Sequence, residues 1–468
     1  MVFCKTAWVV CFVLLAQSLP MVQARPVLFS RDGGSGGEIA PLMGYALIAL
    51  GGGGETLQVN PAGLSRPDTP QITAGAYLAE YNTLKTGSHT HTAVTGSPAN
   101  LSISGPISNS GTFPGYSYGF AFSHPQGQQH LSLLSHEHTG AKADLPPVLS
   151  SGLDIDTDFP GGINFSERDE GLGLLNVTST TLGFGAGLSR GTRAGLSVTW
   201  ERVAFYENSQ ISKVYQGGEG GAEGNELAGS TRSHLRLSGE TDRLIYLLGV
   251  QVEMSPVFTL GLLYRHPSET LAGKGQVLLL RDDALKIYKN GILISERAHQ
   301  VEIEGEDLDF EIKRPGMVGF GFGFTFDTLI FELDLIRVQA LEVYSVFPRV
   351  YGQQVSRIGP VENSGLARTR YAMGLALIQD DELTMLFGLR SDQSSTPDDD
   401  PVFRKLDMTT LSGGAMWSGQ RLTTTLGLAY RFGSNPGAQY IVPEASNAIT
   451  DKLEFTGLSV LIAGTMGF

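Results

Sequence analysis

Val318-Gly319-Phe320-Gly321-Phe322-Gly323-Phe324-Thr325-Phe326-Asp327 alternates a bulky apolar residue with a small or polar one at every step. A repeat of two residues marks a strand whose two faces meet different surroundings. The same beat runs through Leu422, Thr424, Leu426, Leu428, Tyr430 and Phe432, through Leu383, Met385, Phe387 and Leu389, and through Leu182, Phe184, Ala186 and Leu188. One face is large and often aromatic. The other holds glycine, threonine and charge. In a soluble sandwich the greasy face would turn to a protein core. In an outer-membrane barrel it turns to lipid, and the polar face lines the lumen.

Strand length and loop order separate these cases. The pattern predicts an all-β chain with about 14 strands, at 71–81, 115–124, 129–139, 180–190, 193–207, 240–254, 257–267, 313–326, 328–342, 368–378, 382–392, 405–417, 421–432 and 451–468. Most reach the length of about 9–11 residues that a tilted spanning strand needs, against five or six for an ordinary strand. Short links at 125–128, 191–192, 255–256, 327, 379–381 and 418–420 alternate with long ones at 82–114, 140–179, 208–239, 268–312, 343–367, 393–404 and 433–450. Short turns at one end and long loops at the other are the asymmetry of a transmembrane antiparallel β-barrel, here with both ends of the strand array on the short-turn side. Residues 230–239 and 298–312 read either as extra strands or as extensions of their neighbours.

Composition agrees. The 468 residues carry 33 basic and 47 acidic side chains, a net charge of −14, which removes the basic excess expected of a nucleic-acid binder. With 41% apolar and 17% charged residues the chain is not disordered by composition. The runs of about 20 apolar residues that mark helical membrane proteins do not recur. Residues 1–24 read as a secretory signal: Lys5, then the apolar stretch 7–15, then Val22-Gln23-Ala24 as a small-residue cleavage site. Both cysteines, Cys4 and Cys11, lie inside that segment. The expected organisation is a signal peptide at 1–24, a segment at 25–70 that precedes the first strand, and a barrel at 71–468. Phe468 ends an alternating strand with Leu458, Val460, Ile462 and Met466 on one face, the form of an assembly signal read by barrel-assembly machinery.

Residues 41–81 narrow the class. Pro41-Leu42-Met43-Gly44-Tyr45-Ala46-Leu47-Ile48-Ala49-Leu50-Gly51 leads through a glycine run to Asn60-Pro61-Ala62-Gly63-Leu64, just before the first strand. This resembles the FadL-type outer-membrane long-chain fatty-acid and hydrocarbon transporters. The stretches 246–265, 271–275, 371–389 and 411–432 look similar as well. The resemblance implies a 14-stranded barrel in the bacterial outer membrane, plugged by an N-terminal hatch that runs into an Asn-Pro-Ala motif. It implies passive uptake of hydrophobic small molecules, with outer-membrane lipids as surroundings, no cofactor and no catalytic group. In that family a kink in strand three opens a lateral exit. Strand three here would be 129–139, which has no internal glycine or proline. A general porin and a secretion or adhesion scaffold are the alternative functions.

The apolar loop stretches 145–149 and 159–165 are candidates for first contact with greasy cargo. Arg265, Glu332, Asp334, Arg390 and Arg431 fall on lumen faces, where they could meet a head group or pair with each other. Asn60, Pro61, Ala62 and Gly63 form the expected gate. Gly115-Tyr116-Ser117-Tyr118-Gly119 and Gly187-Leu188-Ser189-Arg190-Gly191 fit the nucleophile-elbow spacing but not its strand-turn-helix setting. His124, His130, His136 and His138 cluster without a visible third ligand set, so no metal is assigned. Asp154-Ile155-Asp156-Thr157-Asp158 lacks the glycine and distal Glu of a calcium loop and reads as a solvated acidic loop. Pro61 fixes the chain after Asn60. Pro61→Ala is therefore expected to lower uptake while assembly stays normal. Equal uptake by the variant and the parent chain at matched surface levels contradicts the gate.

Overall fold

The structure, a computed structural model, describes residues 39–66, 69–86, 89–95, 99–107, 115–123, 128–130, 163–217, 225–348, 350–351, 357–358, 361–394, 406–440 and 449–468. The signal peptide at 1–24 lies outside them. So do residues 145–149, most of 159–165, His124, His136, His138 and the acidic loop 154–158.

Fourteen strand positions close into an antiparallel barrel. β1 (Gln71–Thr86) pairs on one side with β22 (Ile449–Gly467), from Gln71↔Gly467 to Thr86↔Leu453, and that seam closes the cylinder. On its other side β1 meets two segments in line, β2 (His89–Thr95) and β3 (Ala99–Pro106). The third position is also built from two segments, β4 (Gly115–Ser123) and β5 (Gln128–His130), which both pair with β6 (Ile163–Gly187). β7 (Thr192–Gly217), β8 (Asn225–Glu253) and β9 (Phe258–Arg265) follow. β12 (Met317–Thr325), β13 (Leu329–Val338), β18 (Arg368–Ile378), β19 (Leu383–Asp392), β20 (Asp407–Ser418) and β21 (Leu422–Tyr440) complete the ring.

The strand number expected from sequence stands, but through two compensating differences. The long link 82–114 contains a whole strand position, β2 with β3. The short link 125–128 is not a hairpin turn, because β4 and β5 lie end to end along the same neighbour. Strand three is therefore Gly115–Ser123 with Gln128–His130, and residues 124–127 lie outside the described ones. Residues 230–239 are an extension of β8.

The register of β1 against β22 shifts by one residue between Tyr77 and Ala79. Beside it, Ala76 pairs with Ala99 and Glu80 with Thr95, so β3 and β2 keep one register against β1. Asn100 of β3 pairs with Ser123 of β4.

The link 268–312 holds a hairpin, β10 (Glu269–Lys289) and β11 (Ile292–Leu308). Its turn uses Asn290 and Gly291, both at positive φ (53° and 76°), the geometry that favours Asn-Gly between strands. β10 takes over from β9 as neighbour of β8, from Glu269↔Leu244 to Lys289↔Asn225. With β6, β7 and β8 running 25, 26 and 29 residues, the wall continues well beyond the belt on the long-loop side. Shorter pieces, β14 (Leu341–Phe347) with β17 (Val361–Gly365) and β15 (Val350–Tyr351) with β16 (Arg357–Ile358), lie in the link 339–367.

The alternation is resolved in favour of lipid. Leu182, Leu196, Leu248, Phe320, Phe387, Leu411, Leu426 and Leu428 all point outward and are exposed, Leu182 at 60%. Trp200, Tyr246, Tyr264, Tyr371 and Tyr430 stand six to eight residues in from the short-turn ends of their strands, and Tyr116, Phe258, Phe324, Phe326 and Trp417 stand at the short turns. Paired aromatic girdles around an apolar band of about 25 Å are what acyl chains and two interfaces select. Leu426→Arg, near the middle of the band, should cost about 2–4 kcal/mol of barrel stability. The check is the folded fraction by heat-modifiable gel mobility, and an unchanged fraction would place that face away from lipid.

Candidate functional site

The lumen is filled by residues 39–66. Leu42, Ile48, Leu57, Ala62 and Leu64 of this hatch are fully buried. Four of them are large, and at about 1.5–3 kcal/mol each they supply about 6–12 kcal/mol, an upper bound for area removed from water. The wall makes room by presenting glycine. A Cβ on Gly183 would collide with the Leu57 side chain, on Gly195 with Pro61, on Gly261 with the Ile48 carbonyl, and on Gly427 with Leu42. Gly388 lies against Gly44, whose own φ is +63° and whose Cβ would stand 2.8 Å from the Leu389 carbonyl oxygen. At these positions the small-residue face of the strand lies against residues 39–66.

Two wall carboxyls orient the hatch. Asp334 Oδ2 accepts from the amides of Leu47 (3.0 Å) and Ile48 (3.2 Å). Glu332 accepts from Ala49 and, at 3.1 Å, from Leu50. Both side chains are wholly buried on one face of β13, since positions two apart on a strand share a face. Burying the two carboxyls costs several kcal/mol apiece, which the bonds from four amides offset. The net gain is modest; the main effect is that the backbone of 47–50 has one seat only.

Asn60 is the second fixture. Its Nδ2 donates to the Ile48 carbonyl (2.6 Å) and, at 3.3 Å, to the Val250 and Leu262 carbonyls of the wall. Its Oδ1 accepts from the Ala62 amide at 3.2 Å, which caps the 3-10 turn Pro61–Ser65. Pro61 supplies the first position of that turn, where no amide hydrogen is needed. Gly63 lies against the Gly51 carbonyl. Arg66 Nη2 donates to the Ala49 carbonyl (3.0 Å) and its Nε to Gln251 (3.1 Å), and Gln251 in turn donates to the carbonyls of Ile48 and Gly51.

On the long-loop side of the hatch lies a layer of charge. Glu201 accepts from Arg243 Nε (2.9 Å) and Arg314 Nη1 (2.6 Å). Arg243 also donates to the Ile312 carbonyl at 2.7 Å. Arg265, buried nearby, donates to the Pro315 carbonyl at 3.0 Å. Beyond it comes an apolar cluster on the inner face of the tall wall: Val203, Phe205, Leu237, Val277, Ile303, Phe310, Ile312, Val346 and Phe347. The rings of Phe310 and Phe347 are 4.9 Å apart, and Phe205 stacks on Phe310 at 5.9 Å.

The lumen residues picked from sequence are thus spread out. Glu332 and Asp334 hold the hatch. Arg265 belongs to the charge layer. Arg390 donates to Asp392 (3.0 Å) and covers the Tyr45 ring (5.0 Å), while Arg431 donates to Ser459 (3.2 Å). Phe468 is exposed, with its amide bonded to the Pro70 carbonyl at 3.1 Å. Ser117 is buried within β4, and Ser189 sits in the turn before β7, so neither occupies a strand-turn-helix elbow. Among the described residues no group of three metal-capable side chains gathers. The aromatic cluster and the Glu201 layer escaped sequence reading, because their members are far apart in the chain.

No family model and no curated protein matches the chain. Solved structures do. A Pseudomonas aeruginosa FadL homologue aligns over 95% of this chain and 100% of its own, with a TM-score of 0.61 and 12% identity. The Pseudomonas putida toluene transporter TodX aligns over 95% and 100%, with a TM-score of 0.59 and 15% identity. The Ralstonia pickettii toluene transporter TbuX aligns over 93% and 98%, at 0.54 and 13%. The chain shares the fold of these barrels at identities where fold alone is conveyed.

Gly249 lies directly against Asn60. Gly249→Val should unseat the hatch and raise ion conductance in planar bilayers while the folded barrel persists. Gly413→Ala, whose Cβ meets nothing nearer than 3.6 Å, should match the parent chain. Equal conductance in both variants contradicts the seating.

Proposed function

We propose that this chain is a FadL-type channel of the bacterial outer membrane, taking up hydrophobic small molecules without catalysis or a cofactor. The observation that carries the reading is the order of layers along the lumen: an aromatic cluster at the long-loop mouth, a layer of arginines around Glu201, then a seated hatch. A general diffusion pore needs a wet, open path, whereas this order offers apolar contact first and a closed plug last. The neighbours in fold, described as toluene transporters and a FadL homologue, support the same class.

Phe205, Phe310 and Phe347 are buried, so cargo arriving from water would have to part this cluster to pass. An uncharged hydrocarbon would need nothing more. A fatty-acid carboxylate would meet Arg243, Arg265 and Arg314 next. In the hatch turn Gly54–Gln58, Gln58 reaches Ser179 and Thr181 of the wall at 3.4 Å. The Asn60-Pro61-Ala62-Gly63 segment acts as the gate, and Phe468 serves as the signal for barrel-assembly machinery.

The test is entry of radiolabelled oleate and toluene into cells that carry this barrel and lack their own transporters. Uptake above the empty-vector rate is expected, and Phe347→Asp should reduce it about tenfold by putting a charge in the apolar layer. Ohmic conductance without such uptake would mark a porin. A protein that co-purifies stoichiometrically, again without uptake, would mark a scaffold.

A further inference from the structure

Above the lipid belt, the tall wall turns a patterned face outward. On β8, β10 and β11 the lumen-side positions are buried, among them Thr231, Leu237, Val277, Leu285 and Ile303, so the residues between them face out. β8 presents Arg232, His234 and Arg236 in one column, and β11 presents Glu302, Glu304 and Glu306 in another. β10 stands between them with the half-buried Leu278 and Leu280. The two charged columns are two strand spacings apart, about 10 Å. Other cations of this face are matched within the chain, Lys274 by Asp307 (2.8 Å) and Lys286 by Glu296 (3.2 Å). Among the described residues, Arg232, Arg236 and the three glutamates form no ion pair. Arg236 lies over the Tyr206 ring at 5.4 Å, and His234 Nε2 is 2.6 Å from Asn208 Oδ1.

The register of the barrel sets the heights of these columns. In chain order, hydrogen-bonded rows climb toward the long-loop side. Gln71, the first residue of β1, leads through Ser104, Gly119, Gly183, Ser197 and Leu247 to Arg265, the eighth and last residue of β9. That is a climb of seven residues in six steps, about one per strand, as strand tilt in a closed barrel requires. Arg232, His234 and Arg236 share rows with Gln300, Glu302 and Glu304, by way of Asp282, Leu280 and Leu278. Two strands on, those rows have climbed by about two residues. β11 runs back toward the membrane, so the residues level with Arg232, His234 and Arg236 are Glu302, Glu304 and Glu306 in that order.

We propose that two copies of this chain meet across the outer face of β10, about a two-fold axis normal to the membrane. Such an axis preserves height, so Leu278 and Leu280 face their own counterparts. It exchanges left and right, so β8 of each copy faces β11 of the other. Arg232 then meets Glu302 and Arg236 meets Glu306, once on each side of the axis. Two cylinders that touch along β10 diverge to either side, and arginine and glutamate are long enough to cross the widening gap. Asp282, the acid nearest the axis, has Arg232 beside it in its row. Anionic lipid head groups would suit the basic column but be repelled by the glutamates about 10 Å away, whereas a second copy matches both columns. The inference goes beyond the channel reading and does not depend on it.

The test uses the purified full barrel in detergent, in two charge-altered forms. One carries Arg232→Glu with Arg236→Glu, the other Glu302→Lys with Glu306→Lys. By sedimentation equilibrium the parent chain should dimerise, and each form alone should do so at least about tenfold more weakly, because like charges then oppose on both sides of the axis. A mixture of the two forms restores opposite charges on both sides and should pair within about threefold of the parent. Rescue on mixing separates lost attraction from misfolding. A monomeric parent, a dimer that both forms keep, or a mixture that does not pair overturns the proposal. So does a monomeric parent that retains phosphorylated glycolipid and loses it with Arg232→Glu and Arg236→Glu, which gives the face to lipid. In intact outer membranes, mild oxidation should join Leu280→Cys to its own copy, since the chain has no cysteine beyond Cys11. Tyr81→Cys, exposed on β1 across the barrel, should stay unjoined. Equal cross-linking at the two positions overturns the proposal.

Discussion

The close approach of hatch backbone to wall backbone is the contact on which the rest of the structure depends. It requires glycine on the lumen side of the strands, at Gly183, Gly195, Gly249, Gly261 and Gly388 among others. A strand with glycine on one side must find its stabilising bulk on the other. That bulk cannot pack inward, because the lumen is already occupied, so it faces acyl chains. The alternation of phenylalanine with glycine in 318–324 is thus one requirement seen from two sides.

Filling a barrel with irregular backbone leaves amides and carbonyls away from water, where each must be paired. The wall meets this with a few side chains placed opposite the hatch. Glu332 and Asp334 take four successive amides, while Asn60 and Gln251 share the Ile48 carbonyl. A buried carboxyl is a poor source of net stability but a strong source of uniqueness. Removing one would leave amides without acceptors, so the hatch has a single register.

How far the sequence could be read follows from the same physics. The strands within the lipid belt were legible because lipid imposes the alternation, as in Leu422 to Phe432. Above the belt, where β10 and β11 lie, that pressure ends, and β11 carries Glu296, Glu302 and Glu304 where a membrane strand would carry leucine. Their real signal was Asn290-Gly291, a turn dipeptide inside what reads as a charged loop. β3 was hidden because Leu101 and Ile103 give only two beats between serines. The link 125–128 reads as a turn in sequence because a proline does not tell whether the chain reverses or runs on along the same neighbour. Alternation puts Glu332 and Asp334 on the small-residue face of their strand. Their partners were not foreseeable, since backbone amides leave no mark in composition.

The central claim is that residues 39–66 are seated in the barrel by the wall. Hydrogen exchange on the purified protein in detergent measures this directly at the amides of Leu47, Ile48, Ala49 and Leu50. Protection lasting as long as that of the neighbouring strands β12 and β13 is the predicted result. Exchange at the rate of an unstructured peptide, with the strands still protected, would contradict it.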